Sequence, residues 1–281
     1  MPESALTIVS LIRDPSLEAA VTRWLDGQQR YRLLACAAEV DPVPALERLR
    51  DSCDVLLIQQ GELAPEAAQA LQERGLLLPA VVIGRVLGQV DYHPDEIHLS
   101  PDQLEQLLYS LDAAISRSLS RALAESPADP GGGRDEPMPE RWRLANRLQS
   151  RLGLLGVFYK RDPSRFLHNL DPRDAERLLG SLKRTYQDLL LSYFKDPAAA
   201  NQALESFVNT AFFSDLPITK TVEIHMDLID SFSKQLRLEG HKSDFLQDYR
   251  LALLDVMAHL CEMYRRSIPA DVPLAATLQG G

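Results

Sequence analysis

Cysteine is scarce in this chain: Cys36, Cys53 and Cys261 are odd in number and scattered. Neither a disulfide framework nor a structural zinc site of paired cysteines fits that spacing, so the three are expected to be ordinary buried thiols. No apolar run approaches the ~20 residues that a membrane-spanning helix requires; the longest, Leu76–Gly84, is broken by Pro79. The chain opens Met-Pro-Glu-Ser, with an acid where a secretory signal carries a basic cluster, and the expected location is the cytoplasm. Lysine is absent before Lys160, which weighs against phosphate chemistry in the first half. What is present is the composition of a folded protein: 281 residues, 45% hydrophobic and 25% charged, a length that suggests about two domains.

The net charge of −10 is unevenly spread. Residues 1–125 hold 10 Arg against 19 acids, giving −9, whereas residues 141–281 hold 19 basic and 17 acidic residues, giving +2. An acidic first half repels phosphate backbones and anionic lipid, so neither nucleic acid nor a membrane is an expected partner. Between the halves, Ser126–Pro139 carries four prolines and three consecutive glycines, a composition that prevents regular structure. Gly131–Gly133 lack the preceding strand and following helix that a phosphate-cradling loop needs. The expected boundaries are an α/β domain over 1–125, a flexible linker over 126–140, a helical domain over 141–269 and a disordered tail over 270–281.

In the first half, β-branched runs at Thr7–Ile12, Tyr31–Ala38, Asp54–Gln60, Pro79–Gly84 and Glu96–Leu99 alternate with helical patterns at Pro15–Gly27, Pro42–Asp51, Pro65–Arg74 and Pro101–Ala124. Proline at each helix start fits the first-turn preference. Five strands alternating with helices imply a doubly wound parallel sheet, flavodoxin-like, of response-regulator type; an unrelated α/β domain is the alternative. A phosphorylated receiver needs an acidic pair after strand one to hold Mg²⁺, an Asp ending strand three as nucleophile, and a Lys after strand five. Here those places read Arg13-Asp14, Gln59-Gln60 and Ser100-Pro101. Asp14 is expected to enter a helix and Asp54 to sit at a solvated strand edge. The first half is therefore a pseudo-receiver, and no catalytic, metal or cofactor residue is assigned.

After the linker the strand signals vanish. Helical periodicity runs through Arg141–Arg151, Asp171–Phe194, Pro197–Phe213, Pro217–Glu239 and Ser243–Ser267, with Gly240 and Ser243 as capping candidates. Ile218, Val222, Ile229, Phe232 and Leu236 share a stripe with His225 and are expected to be buried, His225 as a core or interface histidine. The helix through Leu251–Cys261 is apolar nearly all round, interrupted by Asp255 and His259. Such a helix needs a large core or a second subunit. A homodimer is expected, with Leu253, Val256, Met257 and Leu260 at the interface; a stripe of ~600 Å² would contribute roughly 15 kcal/mol gross. Asp255 and His259 are spaced for an i,i+4 hydrogen bond; no nucleophile accompanies them, and His259 is read as lining a groove for a partner segment. Arg265 and Arg266 either complement the helix dipole or pair with acidic residues of a partner.

The runs Leu155-Gly-Val-Phe-Tyr-Lys-Arg-Asp-Pro-Ser-Arg-Phe-Leu167, Val222-Glu-Ile-His-Met226 and Ala258-His-Leu-Cys-Glu-Met-Tyr-Arg-Arg-Ser-Ile-Pro269 resemble the C-terminal domain of the KaiA family of cyanobacterial circadian-clock proteins. The likeness covers most of residues 145–269. It implies a dimer of helical bundles that binds the C-terminal segment of KaiC and promotes KaiC autophosphorylation without being a kinase, and that is sequestered by KaiB in the KaiC–KaiB assembly. It places His259, Glu262 and Arg265 at the KaiC-peptide groove, and Leu152, Leu154, Leu155, Val157 and Lys160 in the segment used for sequestration. It also suggests a small redox ligand such as a quinone in the α/β half, at no residue that can be named. A response-regulator-like signalling protein with a helical effector is the alternative from another class.

Overall fold

Residues 5–36, 41–124, 144–145, 147–148, 161–239 and 244–268 are described in the computed structural model. The linker, the 152–160 segment, the capping candidates Gly240 and Ser243 and the 270–281 tail lie outside them. The first half holds five parallel strands, β1 (Leu6–Leu11), β2 (Tyr31–Ala35), β3 (Val55–Gln59), β4 (Ala80–Ile83) and β5 (Ile97–Leu99), in the order β2-β1-β3-β4-β5. That is the flavodoxin-like order. In register, Ile8 of β1 stands opposite Leu33 of β2 and Val55 of β3. The helices α1 (Pro15–Leu25), α2 (Pro42–Leu49), α3 (Pro65–Glu73) and α4 (Leu107–Ala124) cover the sheet, α1 beside α4 and α2 beside α3.

The second half is helical: α5 (Pro172–Ser192), α6 (Pro197–Phe213), α7 (Ile218–Leu238) and α8 (Arg250–Ser267). Local chemistry fixes four of the eight helix starts. Asp14, Asp41, Asp171 and Asp196 each accept main-chain N–H bonds from the first turn, and proline follows each one. Each such cap contributes about 1 kcal/mol. The helix α6 is central, with Phe207, Phe212 and Phe213 fully buried.

The two halves do not have separate cores: their buried apolar side chains form one continuous cluster. Many polar contacts cross the junction, and three groups of them stand out. Gln106 donates to Ser181 Oγ (2.9 Å) and Thr185 Oγ1 (2.7 Å) on α5, and its Oε1 accepts from Thr210 Oγ1 on α6 at 2.8 Å. Arg165 pairs with the buried Asp112 of α4, whose other oxygen accepts from Tyr31 Oη at 2.9 Å. The third group involves the connection between β4 and β5, which has no helix. There Gly88 N donates to Gln202 Oε1 at 2.8 Å, and Gln202 Nε2 returns a bond to Gln89 O at 2.7 Å. Gly88 has φ +71°, and a Cβ would stand 2.5 Å from Ala198 Cβ, so only glycine permits this approach. The helix α6 also lies against the edge strand β5, cover that a crossover helix would ordinarily supply.

Several expectations change with the fold. Asp54 is fully buried rather than solvated: its carboxylate accepts from Thr7 N at 2.8 Å and pairs with Arg147 Nε at 3.2 Å. Cys36 and Cys53 are buried, but Cys261 is exposed. On α7 the buried stripe is Thr221, Ile224, His225 and Leu228, while Ile218 and Val222 are exposed. The face is displaced because two polar residues carry it. His225 is buried as expected, hydrogen-bonded through Nδ1 to Tyr186 Oη at 3.1 Å, and burial lowers its pKa from the usual imidazole value.

Candidate functional site

At the carboxyl edge of the sheet, where a receiver keeps its nucleophile, two glutamines make amide cross-links to the main chain. Gln59 Oε1 accepts from Arg13 N and Asp14 N, both at 3.0 Å. Gln60 accepts from Arg85 N at 2.9 Å and donates to Arg85 O at 3.0 Å. Asp14 caps α1 as expected, and its hydrogen bonds from the Ser16 hydroxyl and main chain hold its pKa below the carboxylate norm. This edge resembles a receiver in shape and differs from one in chemistry.

Asp91, Glu96 and His98, which sequence reading missed, bring ligand-type atoms within 4.8 Å of one another. Glu96 accepts from the N–H groups of Asp91 (2.8 Å), Tyr92 (2.7 Å) and His93 (3.2 Å) and bonds His98 Nε2 at 2.8 Å. Burial alone would raise its pKa; the His98 and main-chain bonds outweigh it and lower the value. With four partners already on its two oxygens, Glu96 latches the β4–β5 connection.

A cleft of about 370 Å³ opens between α4, α6 and α8. Each helix contributes one stripe at helical spacing: Ala113, Arg117 and Ser120 from α4; Glu205, Val208, Asn209 and Phe213 from α6; His259, Glu262, Met263 and Arg266 from α8. The stripe on α8 faces the cleft because Ala252, Val256 and Leu260 turn into the core. Apolar Ala113, Val208, Phe213 and Met263 line the cleft together with charges of both signs. Arg117 Nη1 reaches Glu205 Oε2 at 3.2 Å from α4 to α6. Glu262 binds Arg265 at 2.7 Å and Arg266 at 2.6 Å; these bonds hold its pKa down at about 2, so it stays ionised.

Of the residues expected to meet a partner, His259 and Glu262 line this cleft, whereas Arg265 stands outside it on Glu262 and Arg266 takes the lining position. His259 does not bond the Asp255 carboxylate. Its Nδ1 donates to the Asp255 main-chain oxygen at 2.8 Å, and the carboxylate accepts from Tyr193 Oη instead, so the i,i+4 side-chain pair is absent. That leaves imidazole Nε2 as the atom a docked partner can address. The expected interface residues divide: Val256 and Leu260 are buried in this chain's own core, while Leu253 and Met257 are half-buried. The exposed apolar residues nearby are Leu251 and Leu254 on α8, and Ile218, Val222 and Met226 on α7. Leu152, Leu154, Leu155, Val157 and Lys160 lie outside the described residues.

A sheet in receiver order, with glutamine amides closing its carboxyl edge and a helical half sharing its core, defines a pseudo-receiver protein with a groove-bearing helical domain. Residues 6–122 match the family described as circadian clock protein KaiA, N-terminal domain, and residues 150–271 match the KaiA C-terminal domain. The chain belongs to the KaiA family. The circadian clock oscillator protein KaiA of Parasynechococcus marenigrum (strain WH8102) is 54% identical over 285 residues, covering 100% of this chain and 95% of that protein. The KaiA of Synechococcus elongatus (strain ATCC 33912 / PCC 7942 / FACHB-805) is 44% identical over 86% of this chain and 90% of its own length. The crystal structure of the C-terminal domain of Thermosynechococcus elongatus BP-1 KaiA is 48% identical, covers 36% of this chain and 95% of that one, and has a TM-score of 0.33. Among the described residues no helix is long and apolar enough to cross a membrane.

Proposed function

We propose that this protein is a non-catalytic, cytoplasmic clock regulator that holds the C-terminal segment of KaiC in the α4–α6–α8 cleft and thereby stimulates KaiC autophosphorylation. The observation that carries this reading is the convergence of His259 and Glu262 on one cleft with an apolar lining. A peptide with alternating apolar and polar side chains suits such a surface. The mechanism is differential binding: a groove that accepts only a released segment shifts the equilibrium toward release, and about 1.4 kcal/mol of preference changes the population ratio tenfold. KaiB withdraws the activator through the 152–160 segment in the KaiC–KaiB assembly. A homodimer fits the exposed Ile218, Val222 and Met226 of α7, spaced four apart, with Leu251 and Leu254 on the neighbouring α8, since unpartnered apolar faces of this kind mark interfaces.

The test is titration of a fluorescent peptide with the sequence of the KaiC C-terminal segment into the full-length protein and its His259→Ala variant. His259 is exposed, so the variant should keep its thermal midpoint and lose about tenfold in affinity, or about 1.4 kcal/mol. Equal affinity for both proteins would remove the cleft from the reading.

A further inference from the structure

The α4–α6–α8 cleft lies where α8 gives out. Arg266, one of its lining residues, stands two positions before Ile268, which closes the described part of the helical half and is 67% exposed. Residues 269–281 therefore continue from the mouth of the cleft. The α8 stripe from His259 to Arg266 is about 10 Å long at 1.5 Å per residue, whereas the thirteen residues of 269–281 reach about 40 Å when extended. Three or four of them cover the stripe, and the others suffice for a reversal of direction.

The lining and the segment match in chemistry. Arg117 with Glu205, and Arg266 with Glu262, meet as salt-bridged pairs, so the cleft offers little net field to a charged ligand. Its apolar contact comes from Ala113, Val208, Phe213 and Met263. Residues 269–281 carry one charge, Asp271, and place Val272, Leu274 and Leu278 among three alanines. Pro269 and Pro273 bias the backbone toward extended conformations, a form in which peptides dock in grooves, and so reduce the ordering that docking costs. Attachment to α8 adds to this, because a short tether sets a local concentration in the roughly millimolar range; even a weak intrinsic affinity then fills a large share of the clefts.

We propose that residues 272–278 of this chain occupy its own α4–α6–α8 cleft, as an internal competitor for the segment of another protein that docks there. The chain reverses over 269–271, and Leu274 and Leu278 meet the apolar lining. Apparent affinity for the partner is then the intrinsic affinity multiplied by the fraction of open clefts. The competition rests on the cleft being the KaiC-segment site; the docking does not.

Two measurements on the full-length chain separate those claims. With photoreactive p-benzoylphenylalanine in place of Leu274, irradiation should join position 274 to cleft-lining residues of the same chain, Met263 foremost, as read by mass spectrometry of the monomer band from a denaturing gel. No crosslink, a crosslink elsewhere on the chain, or one only between two copies would overturn the proposal. Leu274→Glu combined with Leu278→Glu sets two carboxylates where an apolar lining would have to bury them. This double variant should bind the fluorescent KaiC-segment peptide about threefold to tenfold more tightly, with its circular-dichroism spectrum unchanged. Unchanged or lower affinity, while His259→Ala still weakens the peptide, would overturn the competition and the proposal with it. A cleft crosslink at position 274, with peptide affinity indifferent to both the double variant and His259→Ala, would keep the segment in the cleft and defeat the KaiC reading alone.

Discussion

The carboxyl edge of the sheet and the α4–α6–α8 cleft both gather polar side chains at a concave surface, and they treat them oppositely. At the edge, Gln59 and Gln60 turn their amides inward onto the main chain of Arg13, Asp14 and Arg85. In the cleft, Asn209 Nδ2 is unpaired and His259 bonds its own helix through Nδ1 alone. A place where receivers do chemistry has become structural, and a place built from three helices holds an unpaired buried donor. Inherited shape is thus a poor guide to the working surface; hydrogen-bond satisfaction is a better one.

That contrast can be broken or sharpened by experiment. The largest effect is expected at the junction that joins the two regions. Arg165→Met leaves the buried Asp112 carboxylate with only Arg30, at 3.4 Å, and the Tyr31 hydroxyl, and the loss should approach the about 3–5 kcal/mol that breaking a buried pair costs; urea unfolding should show it, and a change confined to surface values would mean the halves are not coupled there. Gly88→Ala should cost about 1–3 kcal/mol, through its positive φ and the overlap with Ala198 and Ala199 N, and should weaken peptide binding by loosening the junction. An unaltered midpoint would separate the β4–β5 connection from α6.

A smaller effect concerns pH. Burial lowers the His225 pKa from its usual value, so unfolding, not folding, favours protonation. The stability this group contributes is present above the ordinary imidazole pKa of about 6.5, and it is lost as pH falls through that value toward the lowered folded one. His225→Gln should therefore flatten the fall in urea midpoint between about pH 7.5 and 5.5; an unchanged slope would assign it to other groups. The smallest expected effect is none at all: a small-molecule phosphodonor with Mg²⁺ should leave no acyl-phosphate at the sheet edge, where Gln59 and Gln60 occupy the acceptor's place. Stable labelling would favour the response-regulator alternative.

Much of the fold was legible because its signals are local. The β-branched runs bounded by proline and glycine locate all five strands to within a few residues, and Asp-Pro pairs mark the starts of α1, α2, α5 and α6. What escaped depends on distant partners. Asp54 reads as a surface acid until Arg147, far along the chain, reaches it. His225 is buried as its stripe implies, but that Tyr186 on another helix satisfies the imidazole, and that the buried face runs through Thr221 rather than Ile218 and Val222, shows only in the fold. The cleft itself was half visible. The motif around His259 marked the α8 wall, but Asn209 and Arg117 acquire meaning only when α4 and α6 are placed beside it.

The central claim is that this chain acts by binding a segment of another protein and supplies no reacting group. Its most direct test follows the phosphorylation of purified KaiC with ATP over time, alone, with this protein, and with its His259→Ala variant. Faster phosphorylation with the intact protein and a rate near that of KaiC alone with the variant is the predicted result; equal stimulation by both, or stimulation by neither, would contradict it.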